Sequence, residues 1–248
     1  MIEYDNVCKS FDGLKVLENV SCVIPDSRIT VFVGPSGVGK SVLMKMIVGL
    51  ERPDSGTVRV GGENVAALGE RGLYRLRRRM GMLFQDGALF DSMTAGENVA
   101  FPMRRHTRMS EGEIRRGVAE RLALVGMPGC EEKYPAELSG GMRKRVGLAR
   151  AIALDPEIVL FDEPDSGLDP VRTALLCELI QEIHEENGGA YTVITHDIMS
   201  ARRVAEYICV LWKGRIVEAG PAEELFDSDN AFVRQFLSGE AQGPLGME

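Results

Sequence analysis

Short β-branched runs set between stretches of helical periodicity predict an α/β fold: a largely parallel sheet with an antiparallel edge and an inserted helical subdomain. Three features carry this expectation. The first thirty-odd residues alternate apolar and polar side chains, a β-branched run feeds a glycine loop that opens a helix, and two later apolar runs are continuous, as strands covered on both faces should be. At 248 residues, the chain has room for one large domain with a subdomain and a substantial core.

The elements follow in order. Ile2, Tyr4 and Val7, then Val16, Leu17, Val20, Cys22 and Ile24, set a period of two that reads as antiparallel edge strands. Ile29-Thr30-Val31-Phe32-Val33 is a buried strand, followed by a glycine loop and by Val42, Leu43, Met46, Ile47 and Leu50 at helical spacing. Residues 71–80 read as a basic helix, with Arg75-Leu76-Arg77-Arg78-Arg79 as its solvated face, and Met82-Leu83-Phe84 as a strand. From 87 to 136 the chain turns helical and loop-rich, punctuated by Pro102, Pro128 and Pro135. Residues 158–161 and 191–195 are the continuous apolar strands, and Lys213-Gly214-Arg215 between Val210-Leu211-Trp212 and Ile216-Val217 signals a hairpin. From Gly239 onward there is little to bury.

Composition removes several function classes. Hydrophobic residues make up 44% and charged residues 27%, the balance of a folded soluble protein. A net charge of −8 offers no basic field, so no nucleic-acid partner is expected. No run approaches the ~18–20 apolar residues of a membrane span. The start, Met1-Ile2-Glu3-Tyr4-Asp5, lacks the basic and apolar segments of a signal peptide, which predicts a cytoplasmic chain. The five cysteines form no CxxC pair and are expected to be reduced thiols packed as small hydrophobes, and His106 and His184 are read as surface residues.

The chemistry begins at Gly34-Pro35-Ser36-Gly37-Val38-Gly39-Lys40-Ser41, which matches G-x-x-x-x-G-K-[ST] between a strand and a helix. Glycines let successive backbone N–H groups turn inward around an anion, and the helix that follows adds the positive end of its dipole. These eight residues and Val42 are the expected nucleotide-binding set, with Lys40 reaching the β- and γ-phosphates and Ser41 a ligand of Mg²⁺. A second element, Ile158-Val159-Leu160-Phe161-Asp162-Glu163, is an apolar strand ending in two carboxylates: Asp162 suits the metal, and Glu163 suits a general base for the attacking water. Together they define a P-loop NTPase, a class that includes GTPases, helicases, kinases and motors.

Leu138-Ser139-Gly140-Gly141-Met142, ahead of a helical run and just upstream of the carboxylate strand, narrows the class. With it the sequence resembles the ABC ATPase family over essentially its whole length. Ser139, Gly140 and Gly141 can cap a helix N-terminus as a second anion site, and the resemblance implies that this site closes over the nucleotide of a partner subunit in a head-to-tail homodimer. It also implies that Gln85 senses Mg²⁺ and the attacking water, that the loop Ser166-Gly167-Leu168-Asp169 crosses the dimer interface with Asp169 near the nucleotide, that His196 bonds the γ-phosphate, and that Phe11 stacks on adenine. Met142 in place of the usual glutamine, and Asp165 where a small polar residue is commoner, depart from the family pattern without touching a phosphate or metal contact.

The resemblance thus implies a RecA-like core with an antiparallel β part (1–86 and 154–228), a helical subdomain bearing the signature (87–153) and a C-terminal tail (229–248), with ATP and Mg²⁺ as ligands. An apolar lip of Ala88, Leu89, Phe90 and Met93 would border a groove that receives a permease's coupling helix. Within the family the sequence is most similar to ATPases of the Mce/Mla type, through Phe84-Gln85-Asp86-Gly87-Ala88-Leu89-Phe90, Ser139-Gly140-Gly141-Met142-Arg143-Lys144-Arg145 and Asp162-Glu163-Pro164-Asp165-Ser166-Gly167-Leu168-Asp169-Pro170. That implies a subunit lying on the cytoplasmic face of the inner membrane, partnered by integral membrane permease subunits and, through them, Mce-type substrate-binding proteins, and moving lipids or sterols. Two alternatives stand beside it: an ABC importer or exporter of another cargo, and a soluble ABC ATPase outside transport.

Overall fold

Antiparallel pairing starts the chain. In the structure, a computed structural model that describes residues 1–244, β1 (Ile2–Phe11) pairs with β2 (Leu14–Ile24). Their apolar residues do not keep strict alternation, and the register shows why. Ile2, Tyr4 and Val7 are all buried although Tyr4 and Val7 are an odd number apart, and a register shift falls between them at Asn6, whose φ is +49°. A bulge of this kind resets which face a strand buries. Leu17 and Val20 are related in the same way across Asn19, with φ +50°.

β3 (Ile29–Val33) is buried at every residue, as its unbroken apolar run demands. It leads through the glycine loop into α1 (Lys40–Ile47), β4 (Ser55–Val60), the short β5 (Glu63–Asn64) and α2 (Glu70–Arg77). Then come β6 (Met80–Leu83), α3 (Ala95–His106), α4 (Glu111–Leu124), α5 (Gly140–Ala151), β7 (Ile158–Asp162) and α6 (Pro170–Asn187). The chain continues with β8 (Ala190–Thr195), α7 (Ile198–Val204), β9 (Tyr207–Trp212), β10 (Arg215–Pro221), α8 (Ala222–Phe226) and α9 (Ala231–Ser238).

These elements form two compact units, Met1–Leu73 with the chain from Ala190 onward, and Tyr74–Gly189. The first holds the antiparallel sheet β2-β1-β4-β5 and the parallel strands β8 and β9 on either side of β3, with β10 antiparallel to β9. The β9–β10 turn is Lys213-Gly214, both at positive φ, the conformation a tight two-residue hairpin requires. The second unit holds the parallel pair β6–β7 with helices α3 to α6, and the expected helical insert lies wholly inside it.

Several expectations shift. The basic helix ends at Arg77 and the strand after it starts at Met80, earlier than the apolar triplet 82–84 indicates. Pro102 lies inside α3 rather than between elements, where it forgoes one bond to the preceding turn. Within the expected tail, residues 231–238 form α9 and bury Val233 and Leu237, residues 239–244 are exposed, and 245–248 lie outside the described residues. All five cysteines are free thiols, with Cys130, Cys177 and Cys209 buried. His184 is half-buried, its ring Nε2 3.1 Å from the Gly189 carbonyl, rather than free on the surface.

Candidate functional site

In the first unit, parallel register sets the site. β3 and β8 run side by side with Val33 opposite Thr195, so the loop from Gly34 and the exposed His196 leave the same edge of the sheet, the strand ends where α/β sheets bind ligands. A Cβ at Gly34 would collide with the Leu211 carbonyl of β9, which is why this position takes glycine. Gly39 has φ +107° and forms the N-cap of α1 with no side-chain cap. Ser36 and Gly37 are exposed at the tip of the loop, and Ser41 and Val42 are half-buried in the first helical turn. Lys40 is buried, and its Nζ donates to the carbonyls of Gly34 at 2.7 Å and Pro35 at 2.8 Å. The lysine therefore spans the loop it ends, its charge compensated by carbonyl dipoles. Phe11 ends β1 as a residue 39% exposed, and the Lys9 ammonium lies 5.0 Å from its ring centroid. Asp197, next to His196, caps α7 by accepting the amides of Met199 and Ser200.

The second unit repeats the logic. β6 and β7 are parallel with Leu83 opposite Phe161, so Gln85 and the carboxylates Asp162 and Glu163 leave one edge together. Glu163 has φ +46°, a conformation uncommon outside glycine that persists where the surroundings over-determine it. The turn beyond it is closed by the amide of Ser166 bonding the Glu163 carbonyl at 3.2 Å and that of Leu168 bonding the Asp165 carbonyl at 3.1 Å. Gln85 Nε2 donates to Ser166 Oγ at 3.0 Å, joining two residues that the sequence places 81 apart. Asp169 is the N-cap of α6, accepting the amides of Val171 and Arg172; the Arg172 amide above all, with its guanidinium nearby, holds the carboxyl below the usual aspartate range. Ser139 and Gly140 are exposed, Gly141 is half-buried, and Ser139 Oγ accepts the Met142 amide at 3.3 Å as the N-cap of α5.

Sequence reasoning missed Lys144. It is buried in α5, and its Nζ donates to the Pro164 carbonyl at 2.7 Å and to the Ser166 carbonyl. A lysine inside a basic run gave no sign of this.

The same unit carries a groove of about 290 Å³. Ala88 and Phe90 line it as the apolar lip requires, joined by Phe101, Arg77, Arg78 and Arg150. Two corrections follow. Leu89 is absent from the groove lining, and Met93 borders a neighbouring hollow with Phe101. The four arginines are exposed around a buried Leu76 but do not form one helix face: α2 ends at Arg77, Arg77 and Arg78 also line the groove, and Arg79 pairs with Glu157 at 2.6 Å. The lip is held from behind, since Asn98 is fully buried and its side chain bonds the main chain of Phe90, Met93 and Thr94, and Arg150 donates to the Gly87 and Ala88 carbonyls.

Comparison with known proteins agrees with this layout. Residues 17–166 match the ABC transporter family. Over 99% of the chain and 68% of its relative, the sequence is 49% identical to a probable ribonucleotide transport ATP-binding protein, mkl, of Mycobacterium tuberculosis H37Rv. It is 41% identical to the intermembrane phospholipid transport system ATP-binding protein MlaF of Escherichia coli K12, over 93% of the chain and 86% of that protein. Among solved structures, the dimeric post-hydrolysis state of the ATP-binding cassette MJ0796 bound to ADP and Pi superposes with a TM-score of 0.82 at 32% identity, covering 89% of this chain and 98% of that one. The structure of cbiO1 from Clostridium perfringens, part of the ABC transporter complex cbiONQ, gives 0.83 at 27% identity, covering 95% and 94%. By this family match and these near-full-length relatives, the chain belongs to the ABC transporter family as an ATP-hydrolysing subunit.

Proposed function

We propose that two copies of this chain close head to tail on two ATP molecules and drive a bacterial membrane permease of the Mce/Mla type, moving lipids or sterols across the cell envelope. The observation that carries the catalytic part is the presence in one chain of both a lysine curled into a glycine loop and a separate helix opened by an exposed serine. The loop residues 34–42 would hold the phosphates, with Lys40 moving from carbonyl to phosphate oxygens. Glu163 would take the proton of the attacking water, His196 would steady the γ-phosphate and Phe11 would stack on the base. Ser139, Gly140, Gly141 and Asp169 would meet the partner's nucleotide.

Mg²⁺ would be held by Ser41, Gln85 and Asp162, a hydroxyl, an amide and a carboxylate oxygen, the hard donors this ion takes. Among the described residues no group of three or more His, Cys, Asp or Glu could hold a metal by itself, and an ion shared with substrate phosphates needs only one or two side chains. When bound, the ion neutralises charge developing on the phosphates.

No helix among the described residues is long and apolar enough to cross a membrane, so the subunit would reach the cytoplasmic face of the membrane through its permease. The groove beside Phe90 and Phe101 is suited to a short amphipathic helix, with Arg77, Arg78 and Arg150 to meet its polar side. The lipid cargo rests on near-full-length likeness to the phospholipid transport ATP-binding proteins. A second reading, a ribonucleotide cargo, is favoured by the higher identity to mkl.

Purifying the native complex separates them. Integral membrane subunits with co-purifying lipid, and phosphate release by wild type but not by Glu163→Gln, support the first reading. ATP turnover stimulated by ribonucleotides and not by lipid vesicles supports the second, and a chain that isolates without membrane subunits contradicts both.

A further inference from the structure

Lys144 carries more than its place in a basic run announces. It is the fifth residue of α5, one helical turn beyond Ser139, and only 4% exposed. Its two acceptors are main-chain carbonyls, Pro164 and Ser166, so the ammonium fixes backbone rather than forming a simple ion pair. That backbone is the turn after Glu163. The turn is held elsewhere by the Ser166 and Leu168 amides and by Gln85 Nε2 on Ser166 Oγ. Glu163, at φ +46°, needs such restraint. Burial pushes the Lys144 ammonium down, while the charges of Asp165, Asp86 and Glu163 favour its charged form.

We propose that Lys144 is a positioning residue for hydrolysis: it rivets the helix that Ser139 opens to the turn that bears Glu163, so that the two catalytic contributions of one chain shift as a single piece. This rests on the ATPase reading above, in which Glu163 serves the chain's own nucleotide and Ser139 the partner's. Closure at one nucleotide then sets the carboxylate at the other.

The test uses Lys144→Met, which keeps length and apolar bulk, and Lys144→Gln, which restores an amide donor. A misplacement of about 1 Å can cost about 100-fold in rate. Lys144→Met is therefore expected to lower kcat for ATP about 10- to 100-fold with KM and fluorescent-nucleotide affinity changed less than about twofold, and Lys144→Gln to recover most of that loss. Hydrogen exchange at the Ser166 and Leu168 amides should quicken about tenfold in Lys144→Met alone, with β7 and α6 unchanged. Wild-type kcat in Lys144→Met, unaltered exchange at those amides, or a uniform rise across the whole unit each overturns the proposal. A wild-type chain that releases no phosphate sinks the ATPase reading instead, and the exchange measurement still decides on Lys144.

Discussion

Two helices of this chain open on glycine-rich turns, and they open differently. α1 follows Gly39 in the left-handed region, carries no side-chain cap, and turns its first side chain, Lys40, back onto the loop's own carbonyls. α5 follows Ser139, whose hydroxyl already takes the Met142 amide. Both present the positive end of a helix dipole. In α1 the first turn is shaped for a guest and brings a cation with it. In α5 one donor is spent internally, and Ser139 and Gly140 are exposed at its start while Gly141 is half-buried. Two helix starts thus differ in build, and under the function proposed above they would take unequal tasks: α1 would grip phosphate unaided, and α5 would complete a site already filled.

That contrast can be broken by experiment. The largest expected effect is Lys40→Ala, which removes the only cation of the loop 34–41 and should lower nucleotide affinity and cut phosphate release about 100-fold; turnover at the wild-type rate would erase the difference between the helices. Ser139→Arg should leave the affinity of the separate chain for nucleotide within about twofold while lowering turnover about tenfold or more, because it obstructs only the closed state. Equal losses in binding and turnover would mean that α5 also grips unaided. Ser139→Ala should cost about 1 kcal/mol in denaturant unfolding through the lost cap, whereas α1 has no such side chain to lose.

The smallest effect concerns a third helix start. Asp169 caps α6, and its carboxyl lies below the ordinary range because of the Arg172 amide. Its folded value is the depressed one, so its contribution is present above the unfolded aspartate value and fades as the pH falls through the folded one. An Asp169 carbon shift that titrates below the model-peptide position would bear this out, and Asp169→Ala should remove that low-pH step.

Much of this was legible in the chain. The strand–loop–helix around residues 34–41 announces itself because one short segment holds all of its parts, and the carboxylates are marked by the buried strand that delivers them. What escaped was whatever depends on pairing or on convergence. β4 has only Val58 and Val60 buried, around Gly56 and Arg59, and becomes a strand because β1 offers it an edge. α6 stays hidden because Asp169, its cap, reads as the end of an interface loop, and the first-turn proline, Pro170, directly follows it. The groove draws Arg77, Phe90, Phe101 and Arg150 from separate segments, and no spacing rule unites them. The bonds of Gln85 with Ser166 and of Lys144 with Pro164 are long-range in the same sense.

One buried amide has a wider consequence. Asn98 accepts from the Phe90 amide and donates to the carbonyls of Phe90, Met93 and Thr94, so the lip of the groove is set before anything arrives. A preorganised rim surrenders little conformational entropy on docking. Under the docking role proposed above for this groove, trimming Asn98 would slow and weaken capture of a membrane subunit without removing a single contact to it, an effect that inspection of the bound surface alone would never reveal.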